Sequence, residues 1–541
     1  LPGSLFADAT AYDLHLTAGA AALDAGRDLS GSFTDDIDGA TRFGTWDVGA
    51  DEYVPGVVYS VGISTLDLKT GAPTIAISDG IATLSVAQTG SMGVGDEIDY
   101  DSPSKTAYVA AVQTETQLTV RTATGQPAPD TSAVTVNSIK RAFNSIGDAV
   151  SQSSDASHLN TSDLVTGNHT LTWVCYNDGP FVEAANITGY TTDEDHRITL
   201  TVAGQWDVAS RVSQRHDGRD GTGAILQHDD GADPEGITIS VPYTRVEWLE
   251  IDGSTFTDTG GDGVEVEASG VHLEYLIIHD WATTFSDGIW VHDADDTVIR
   301  NSLVYNNEGS ILLSSGGNGA TIQNVTVLGG GTYGVRANGT SGHTVENVIS
   351  MDNPAGTDFS TVNGGLFVAA TANLSSDGTA DDFGGSGHLA SKLSSNQFVS
   401  IVALDLMPDL PEGLVMAADT SGIDLHLKAG ADAIDAGLDL SGTFQRDIDG
   451  SVRMSPWEMG ADDFDATTAV SLVSFEAVPG DSSVELRWET ANERDNAGFH
   501  LYRGLTSSGP WERITEQLIL GLGTTPEGQQ YSYLDPGLVN G

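Results

Sequence analysis

Carboxylates, a histidine and a tryptophan are grouped in one phrase, "SDGIWVHDADD", at residues 286–296. Two carboxyl groups on either side of a sugar–sugar bond can supply the acid and the base that hydrolyse it. A second tryptophan lies shortly before the phrase. If this part of the chain contacts a carbohydrate, the candidate residues are Trp281, Asp287, Trp290 and His292.

Two acidic turns, "FTDDIDG" and "FQRDIDG", have the composition of a calcium site. Ca²⁺ takes about six to eight oxygen ligands from carboxylates, carbonyls and water. The chain has no EF-hand loop, so the same carboxylates could instead be solvated or paired with Arg42 and Arg453. The candidate calcium ligands are Asp36, Asp38, Asp447 and Asp449.

These two turns belong to two copies of one module. Residues 13–31 read "DLHLTAGAAALDAGRDLSG", and residues 424–442 read "DLHLKAGADAIDAGLDLSG". The offset, 424 − 13 = 411, is constant over 41 aligned residues, of which 25 are identical. Duplication of a structural unit is the simplest explanation. The histidines that recur in it, His15 and His426, are therefore expected to have a structural role.

Between the copies, a repeated phrase predicts a solenoid. It reads "VEWLEIDGS", "LEYLIIHDW", "IRNSLVYNN", "IQNVTVLGG" and "VENVISMDN", with intervals of 27, 26, 23 and 23 residues. A second alternating strand, such as "DGVEVEA" or "DGIWVHD", stands between successive phrases. Strands of period two with Gly and Asp at the corners, repeated at this interval, are typical of a parallel β-solenoid with coils about 4.8 Å apart.

The third residue of each phrase predicts a stack along the solenoid. In the last three phrases it is Asn301, Asn324 and Asn347. Asparagine side chains in register can donate and accept hydrogen bonds from coil to coil, as in an asparagine ladder. Trp248 and Tyr275 hold the position in the two earlier coils, where aromatic stacking is expected.

The chain as a whole is strongly acidic. Its 541 residues include 22 Lys and Arg against 77 Asp and Glu, which gives a formal net charge of −55. This charge excludes nucleic acid and anionic lipid as partners, because both bind cationic surfaces. The 64 glycines and the low charged fraction, 18%, are typical of an all-β protein rich in turns.

Few signals in the sequence concern its location. The single cysteine, Cys175, lies in an apolar run and is expected to be buried. No apolar run is long enough to span a membrane, and no signal peptide opens the sequence. We interpret the abrupt start, "LPGSLFADAT", as a processed or incomplete end and predict no membrane insertion.

The phrases between about residues 140 and 405 resemble right-handed parallel β-helix proteins of the pectate-lyase-like type. This resemblance implies a fold rather than an activity, because the fold serves many functions. The duplicated "DLHL…DAG…DIDG…W…GAD" module resembles the segment that closes the β-helix of bacterial surface proteins. After its second copy, "VELRWETANERDNAGFHLYRG" resembles the opening of a fibronectin type III-like domain.

The sequence therefore predicts an all-β fold, a right-handed parallel β-helix (solenoid) flanked by small β-barrel or sandwich modules. Apolar residues at helical spacing predict a capping helix over residues 138–152. The predicted domains are 1–54, a closing module of a preceding β-helix; 55–137, a small β-barrel or sandwich; 138–411, the capping helix and the β-helix; 412–466, the second closing module; and 467–541, an incomplete fibronectin type III-like sandwich.

Catalytic patterns known for this fold are incomplete here. No Gly-His-Gly or Arg-x-Lys follows the Asp287 phrase, as a polygalacturonase-like site requires. A lyase needs a base beside a carboxylate neutralised by Ca²⁺. Residues 244–353 contain no Lys, and none of their three Arg matches a lyase motif. We therefore expect a protein that is not an enzyme, with a polysaccharide lyase, a glycoside hydrolase or a carbohydrate-binding protein as the alternative.

The modular order favours an extracellular structural or adhesive protein on a cell surface, which builds a fibre, filament or array from β-helix modules. A closing module with no β-helix before it would expose apolar residues and need a partner. The expected partners are like subunits or a continuation of the same polypeptide, with polysaccharide as the alternative. The sequence establishes no cofactor, and Ca²⁺ is the one that it suggests.

Overall fold

The computed structural model describes residues 6–8, 13–16, 22, 26–27, 29, 47–50, 54, 56–228, 234–353, 357–401, 423–464, 470–480, 482–504, 511–515, 517–525 and 529–536. The chain forms two compact units, one from residues 1–450 and 454–462, and the other from residues 451–453 and 463–541.

The first unit is built around a parallel β-helix with three faces. Face A is a parallel sheet in which each strand pairs with the strand one coil away. Its nine strands in the described residues are Gly56–Val61, Thr170–Cys175, Ile198–Val202, Arg245–Glu247, His272–Glu274, Val298–Arg300, Thr321–Gln323, His343–Glu346 and Phe367–Thr371.

Faces B and C belong to one continuous sheet, because the long strands Leu303–Ser314 and Thr326–Asn338 run through both faces. Face B also contains Phe181–Val182, Ile225–Gln227, Glu250–Asp252, Ile277–His279, Ile349–Met351 and Leu374–Ser375. Face C also contains Ala185–Ile187, Ile237–Ile239, Val264–Val266, Asp287–His292 and Thr357–Val362.

One apolar core fills the space between the three faces. The inward side chains of consecutive coils stack in rows, such as Val264, Ile289 and Ile311 on face C, and all three are fully buried. Period-two alternation in the sequence sets which side chain of each short strand points inward. The predicted fold class, an all-β chain with a parallel β-helix and a small barrel, is confirmed.

A left-handed backbone conformation shapes the corner between faces A and B. It occurs at the third residue of the repeated phrase, where φ is 63°, 57°, 44°, 51° and 55° in successive coils. Among non-glycine residues Asn tolerates this conformation best, because its short polar side chain relieves the clash. We call this row of residues the corner stack: Trp248, Tyr275, Asn301, Asn324 and Asn347.

A closed antiparallel barrel is inserted after the first strand of face A. The predicted barrel segment, 55–137, includes Gly56–Val61, but this strand pairs with Thr170–Cys175, so the boundary is corrected. Val57, Tyr59 and Val61 are buried in the β-helix core, which places their strand in face A. The barrel strands are Thr74–Ser78, Ile81–Leu84, Glu97–Tyr100, Lys105–Thr114, Gln117–Arg121 and Thr131–Lys140.

Arg141 joins the barrel to the β-helix. Its guanidinium donates to Asp96, at the start of a barrel strand, at 2.9 Å, and to Asp178, after a face A strand, at 2.8 Å. It also lies over the ring of Tyr176, 3.5 Å from the centroid. Arg141 and Asp96 are both buried, so each charge depends on the other for compensation.

The predicted capping helix is shorter than expected. Residues 138–140 continue the last barrel strand, in which Ile139 pairs with Ile98, and the helix spans only Ile146–Gln152. Strand pairing therefore overrides the helical periodicity at the start of this segment. The Ser145 side chain caps the helix by accepting from the Asp148 backbone N–H. The other helical segments are Leu164–Gly167, Ser394–Gln397 and the 3₁₀ turns Gln205–Asp207 and Thr379–Phe383.

The two module copies begin with the same antiparallel pairing. In each, a Phe opposes the Leu that ends the "DLHL" strand: Phe6 opposite Leu16, and Phe398 opposite Leu427. The paired strands are Phe6–Asp8 with Asp13–Leu16, and Phe398–Ser400 with Asp424–Leu427. The described part of the first copy therefore folds like the second.

The second unit is an antiparallel β-structure around Trp488, which is buried and stacks on Tyr531 with ring centroids 5.3 Å apart. Its assignment as a fibronectin type III-like module stays a prediction. Its strands are Val470–Gly480, Ser483–Phe499, Tyr502–Gly504, Trp511–Arg513, Ile519–Thr525 and Gln530–Pro536. In the described part of the whole chain, none of the helices has the length and apolar character to cross a lipid bilayer.

Candidate functional site

The predicted asparagine stack has two sets of hydrogen bonds. Along the β-helix, Asn347 Nδ2 donates to Asn324 Oδ1 of the previous coil at 3.0 Å. Across the corner, Asn347 exchanges two hydrogen bonds with the backbone of Leu438, at 2.8 and 2.6 Å. Asn324 Nδ2 donates to the carbonyl of Gly460 at 3.0 Å. Asn301, one coil earlier, is fully buried.

The aromatic members of the corner stack also pack coil on coil. The rings of Trp248 and Tyr275 lie parallel within 2°, with centroids 4.2 Å apart. Gly450 of the second copy approaches this pair so closely that a Cβ there would lie 3.0 Å from the Trp248 ring. The corner stack is therefore covered by the second copy at both its aromatic and its asparagine end.

This placement differs from the predicted closing role. The second copy contacts Trp248, Asn324 and Asn347, which lie in different coils, so it runs along the side of the β-helix instead of across its end. Left-handed corner turns present polar side chains and backbone groups in a row, and buried groups of this kind need partners. The backbone of the second copy supplies those partners.

The structure separates the four carbohydrate candidates. Trp281 lies inside the β-helix with no exposed surface, between His228 and Phe256, with ring centroids 5.5 and 5.3 Å away. It cannot contact a sugar, and its prediction as a contact residue is wrong. It lies two residues after the face B strand Ile277–His279 and belongs to the buried core of the β-helix.

Trp290 and His292 lie together on the outer surface of face C. Their rings stack with centroids 4.1 Å apart. His292 Nε2 lies 2.9 Å from Glu265 Oε1 of the previous coil, and Trp290 Nε1 donates to Ser314 Oγ of the next coil at 2.8 Å. Both rings are half-buried, so a part of each is open to a ligand.

Asp287 begins the same strand but is buried beside a second carboxyl group. Its backbone N–H donates to Asp262 Oδ1 at 2.5 Å, and Tyr333 donates to Asp287 Oδ1 at 2.6 Å. Burial, with the charge of Asp287, raises the pKa of Asp262 to about 9. Burial raises the pKa of Asp287 to about 7, against the lowering effect of the Tyr333 hydrogen bond. This acid pair can hold protons at neutral pH.

A buried histidine on face B is enclosed by carboxylates. His279 Nδ1 lies 2.9 Å from Asp280 Oδ2, and its Nε2 lies 3.2 Å from Glu250 Oε1. Burial lowers the pKa of His279, but the hydrogen bonds to Asp280 and Glu250 outweigh it and raise the pKa to about 10. The imidazolium is therefore a fixed positive charge that ties neighbouring coils together.

The structure describes only two of the four calcium candidates. Asp36 and Asp38 lie outside the described residues. Asp447 is fully buried, and its carboxylate accepts from the Asp449 backbone N–H at 3.1 Å. Asp449 Oδ1 lies 3.0 Å from His426 Nε2. A histidine nitrogen at the carboxylate does not fit Ca²⁺, which prefers a set of oxygens.

Several of these residues were missed by sequence reasoning. Asp262 could have been found, because Asp262 and Asp287 both precede the Gly that opens a face C strand, in "DGVEVEA" and "DGIWVHD". Glu250 and Tyr333 had no such signal. Glu250 contacts His279 in the next coil of face B, two residues away from its register partner Ile277, and the contact of Tyr333 with Asp287 spans two coils. Asp287 pairs with Gly309, and Gly309 pairs with Tyr333, and this register brings Tyr333 close to Asp287.

We expect Asn324→Leu to destabilise the first unit, because Asn347 and the Gly460 carbonyl would each lose a buried hydrogen-bond partner. The cost should be about 1–3 kcal/mol for each such group, measured by denaturant unfolding. Asn363→Leu is the matched control, because Asn363 is also left-handed and bonds Asn338 at 2.8 Å but is exposed. Equal losses in the two variants would contradict a buried role for Asn324.

We expect the acid pair to make the folded state less stable as pH rises. The folded protein keeps a proton on Asp262, whose pKa is about 9, whereas the unfolded chain releases it near pH 4. Stability is therefore lost between these values, at up to about 1.4 kcal/mol per pH unit for this group. Asp262→Asn should be more stable than the wild type at pH 8 and have a flatter pH profile.

The measurement is the free energy of unfolding from pH 5 to pH 9, with Asp258→Asn as the control because Asp258 is exposed in the same loop. Parallel pH profiles for the wild type and Asp262→Asn would show that Asp262 is not the responsible group.

Comparison with known proteins agrees with the geometry of the coils. Residues 240–400 match the family described as "Right handed beta helix region". No curated protein sequence matches the chain. Among solved structures, the chain is similar to the tailspike protein gp49 from Pseudomonas phage LKA1, at 10% identity over 60% of this chain and 70% of that chain. The TM-score is 0.15, so this likeness carries no argument. The family match and the parallel coils together identify residues 240–400 as a right-handed parallel β-helix.

Proposed function

We propose that the protein is an extracellular structural or adhesive protein, not an enzyme, which builds a fibre, filament or array from β-helix modules. The observation that supports this most directly is a difference between the two module copies at one equivalent position. The position is Val48 in the first copy and Met459 in the second, since 459 − 48 = 411.

The two residues have the same local fold. Val48 N donates to the Ala22 carbonyl at 2.8 Å, and Met459 N donates to the Ala433 carbonyl at 3.1 Å, again 411 residues apart. Met459 has no exposed surface, and the residues after it bond the corner stack of this β-helix. The Val48 side chain is 54% exposed. An apolar edge that is covered in one copy and open in the other is suited to pack against another β-helix.

The candidate catalytic groups also support a structural role. Asp287 is only 6% exposed and is bonded by Tyr333, so a polysaccharide on the surface of face C does not reach it. His279 and His292 each bond a carboxylate of the previous coil. Polar groups that hydrogen-bond between successive coils stabilise the β-helix and need no catalytic role.

We expect the full chain to associate through the Val48 edge and Val48→Asp to prevent this, because the new carboxylate would be buried without a partner. The net charge of −55 opposes close approach of two chains, so association should increase as salt screens the carboxylates. Sedimentation velocity from 0.05 to 1 M NaCl, with electron microscopy of the same samples, measures it.

Leu66→Asp is the control, because Leu66 is 71% exposed and lies outside both module copies in the sequence. Loss of association in Val48→Asp but not in Leu66→Asp supports the proposal. A wild type that stays monomeric at every salt concentration, or two variants that behave alike, contradicts it.

A second candidate function is carbohydrate binding or cleavage on face C. It is favoured by the stacked, half-buried rings of Trp290 and His292 beside Glu265. Aromatic faces next to a carboxylate can hold a sugar ring and its hydroxyl groups.

The test is incubation with pectins, alginates and glycosaminoglycans, with measurement of binding and of released reducing or unsaturated ends. For a structural protein we expect no release from any of them. Release that Asp287→Asn abolishes would establish an enzyme, and binding that Trp290→Ala abolishes without release would establish a carbohydrate-binding protein.

A further inference from the structure

We propose that His426, Asp449 and Asp462 form a binding site for a divalent transition-metal ion of the Zn²⁺ type. One ligand atom from each of the three side chains lies within 4.8 Å of the others. His426 Nε2 and Asp449 Oδ1 are 3.0 Å apart, close to the spacing of two ligands on one metal with bonds of about 2.0–2.2 Å. Small side-chain rotations would bring all three atoms onto one ion.

The other nitrogen of His426 is held as a ligating histidine requires. Nδ1 lies 2.5 Å from Asp424 Oδ1 in the same strand. A histidine that binds a metal through one nitrogen almost always donates the other N–H to a carboxylate or a carbonyl, which fixes the ring. Asp424 supplies that carboxylate, and Nε2 is thereby directed at Asp449.

Asp462 is positioned by the backbone of the same strand. Leu427 N donates to Asp462 Oδ2 at 2.7 Å, which fixes this carboxylate next to the imidazole. Asp462 is 5% exposed, and the side chains of His426 and Asp449 are 21% and 19% exposed. The site is therefore enclosed on one side and open to solvent on the other, so an ion can enter.

The donor set selects the class of metal. One imidazole nitrogen and two carboxylate oxygens suit Zn²⁺ and similar ions, which accept mixed nitrogen and oxygen ligands. Ca²⁺ and Mg²⁺ prefer oxygen ligands alone and in larger number. Water or another small ligand would complete the coordination of a three-residue site.

The module repeat gives independent support. The residues 411 positions earlier are His15, Asp38 and Asp51, so all three ligand types recur although 16 of the 41 aligned positions differ. The carboxylate that orients the histidine recurs as well, as Asp13. A constellation retained in both copies is expected if it serves the module itself.

The site borders the β-helix and not only the module. A Cβ on Gly218, in a loop of the β-helix, would lie 2.6 Å from His426 Nε2, so a larger residue there would displace the histidine. Metal binding would therefore fix the second copy against the loop at Gly218 and stabilise its packing along the corner stack.

Two other groups of a histidine and carboxylates have ligand atoms close enough to hold a metal ion. Neither combines access for an ion with recurrence in the duplicated module. The group of Asp252, His279 and Asp280 lies inside the coil stack, where the side chains of His279 and Asp280 are only 4% and 8% exposed, so it is less accessible to an ion than the His426 group. The group around His292 lies on the open surface of face C, and its Nδ1 is 3.7 Å from an exposed carboxylate, Asp293. Neither recurs in a second copy.

The test is metal binding by the full chain after removal of metals with a chelator. We expect the wild type to bind Zn²⁺ in isothermal titration and to melt at a higher temperature with Zn²⁺ than without it. His426→Asn should bind one equivalent fewer and lose part of the stabilisation. The matched control, His292→Asn, removes a histidine from another carboxylate group and should bind as the wild type does.

A readout on the wild type covers the case in which His426→Asn fails to fold. X-ray absorption of the zinc-loaded chain should show a nitrogen of an imidazole and oxygen donors at about 2.0–2.2 Å. Loss of one equivalent of saturable binding in His426→Asn but not in His292→Asn supports the proposal, as does that spectrum. No saturable Zn²⁺ binding, equal loss in both variants, or a spectrum without imidazole would overturn it.

Discussion

Hydrogen bonding between coils in register is the constraint on which the rest of the structure depends. Each short strand of faces A, B and C finds its partners only in the coils before and after it, so one slipped coil would leave a row of backbone groups unpaired. The corner stack helps to hold this register, because its left-handed turn separates face A from face B at the same place in five successive coils.

The same corner provides the surface on which the second copy packs. Asn324 and Asn347 bond each other along the β-helix and bond the backbone of the second copy across it. Asparagine thus meets two requirements of the corner. It tolerates the left-handed turn, and its buried amide can both donate and accept hydrogen bonds. The Val48 edge of the first copy is exposed, and our proposal is that it packs in this way on a β-helix of another molecule or segment.

The excess of acidic residues has different consequences for exposed and for buried carboxyl groups. Exposed carboxylates contribute to a net charge of −55, and salt screens the repulsion between such charges. Among the buried carboxyls, burial raises the pKa of Asp262 to about 9, whereas Asp96 is paired with Arg141 and Glu250 with His279. The His426 group combines an imidazole with three carboxylates, and this surplus of negative charge is what a metal ion would balance.

The sequence by itself determined the β-helix, the in-register position of Trp248, Tyr275 and the three asparagines, and the duplicated module. These features repeat at short or constant intervals, and a repeat in sequence becomes a stack in space. Only the tertiary structure decided that Trp281 is inside the core, that the second copy lies along the corner, and that Asp262 meets Asp287. Such contacts depend on how loops between strands fold back over the core and which distant segment covers a corner. Local periodicity carries no information on either, because both are set by packing between residues far apart in the chain.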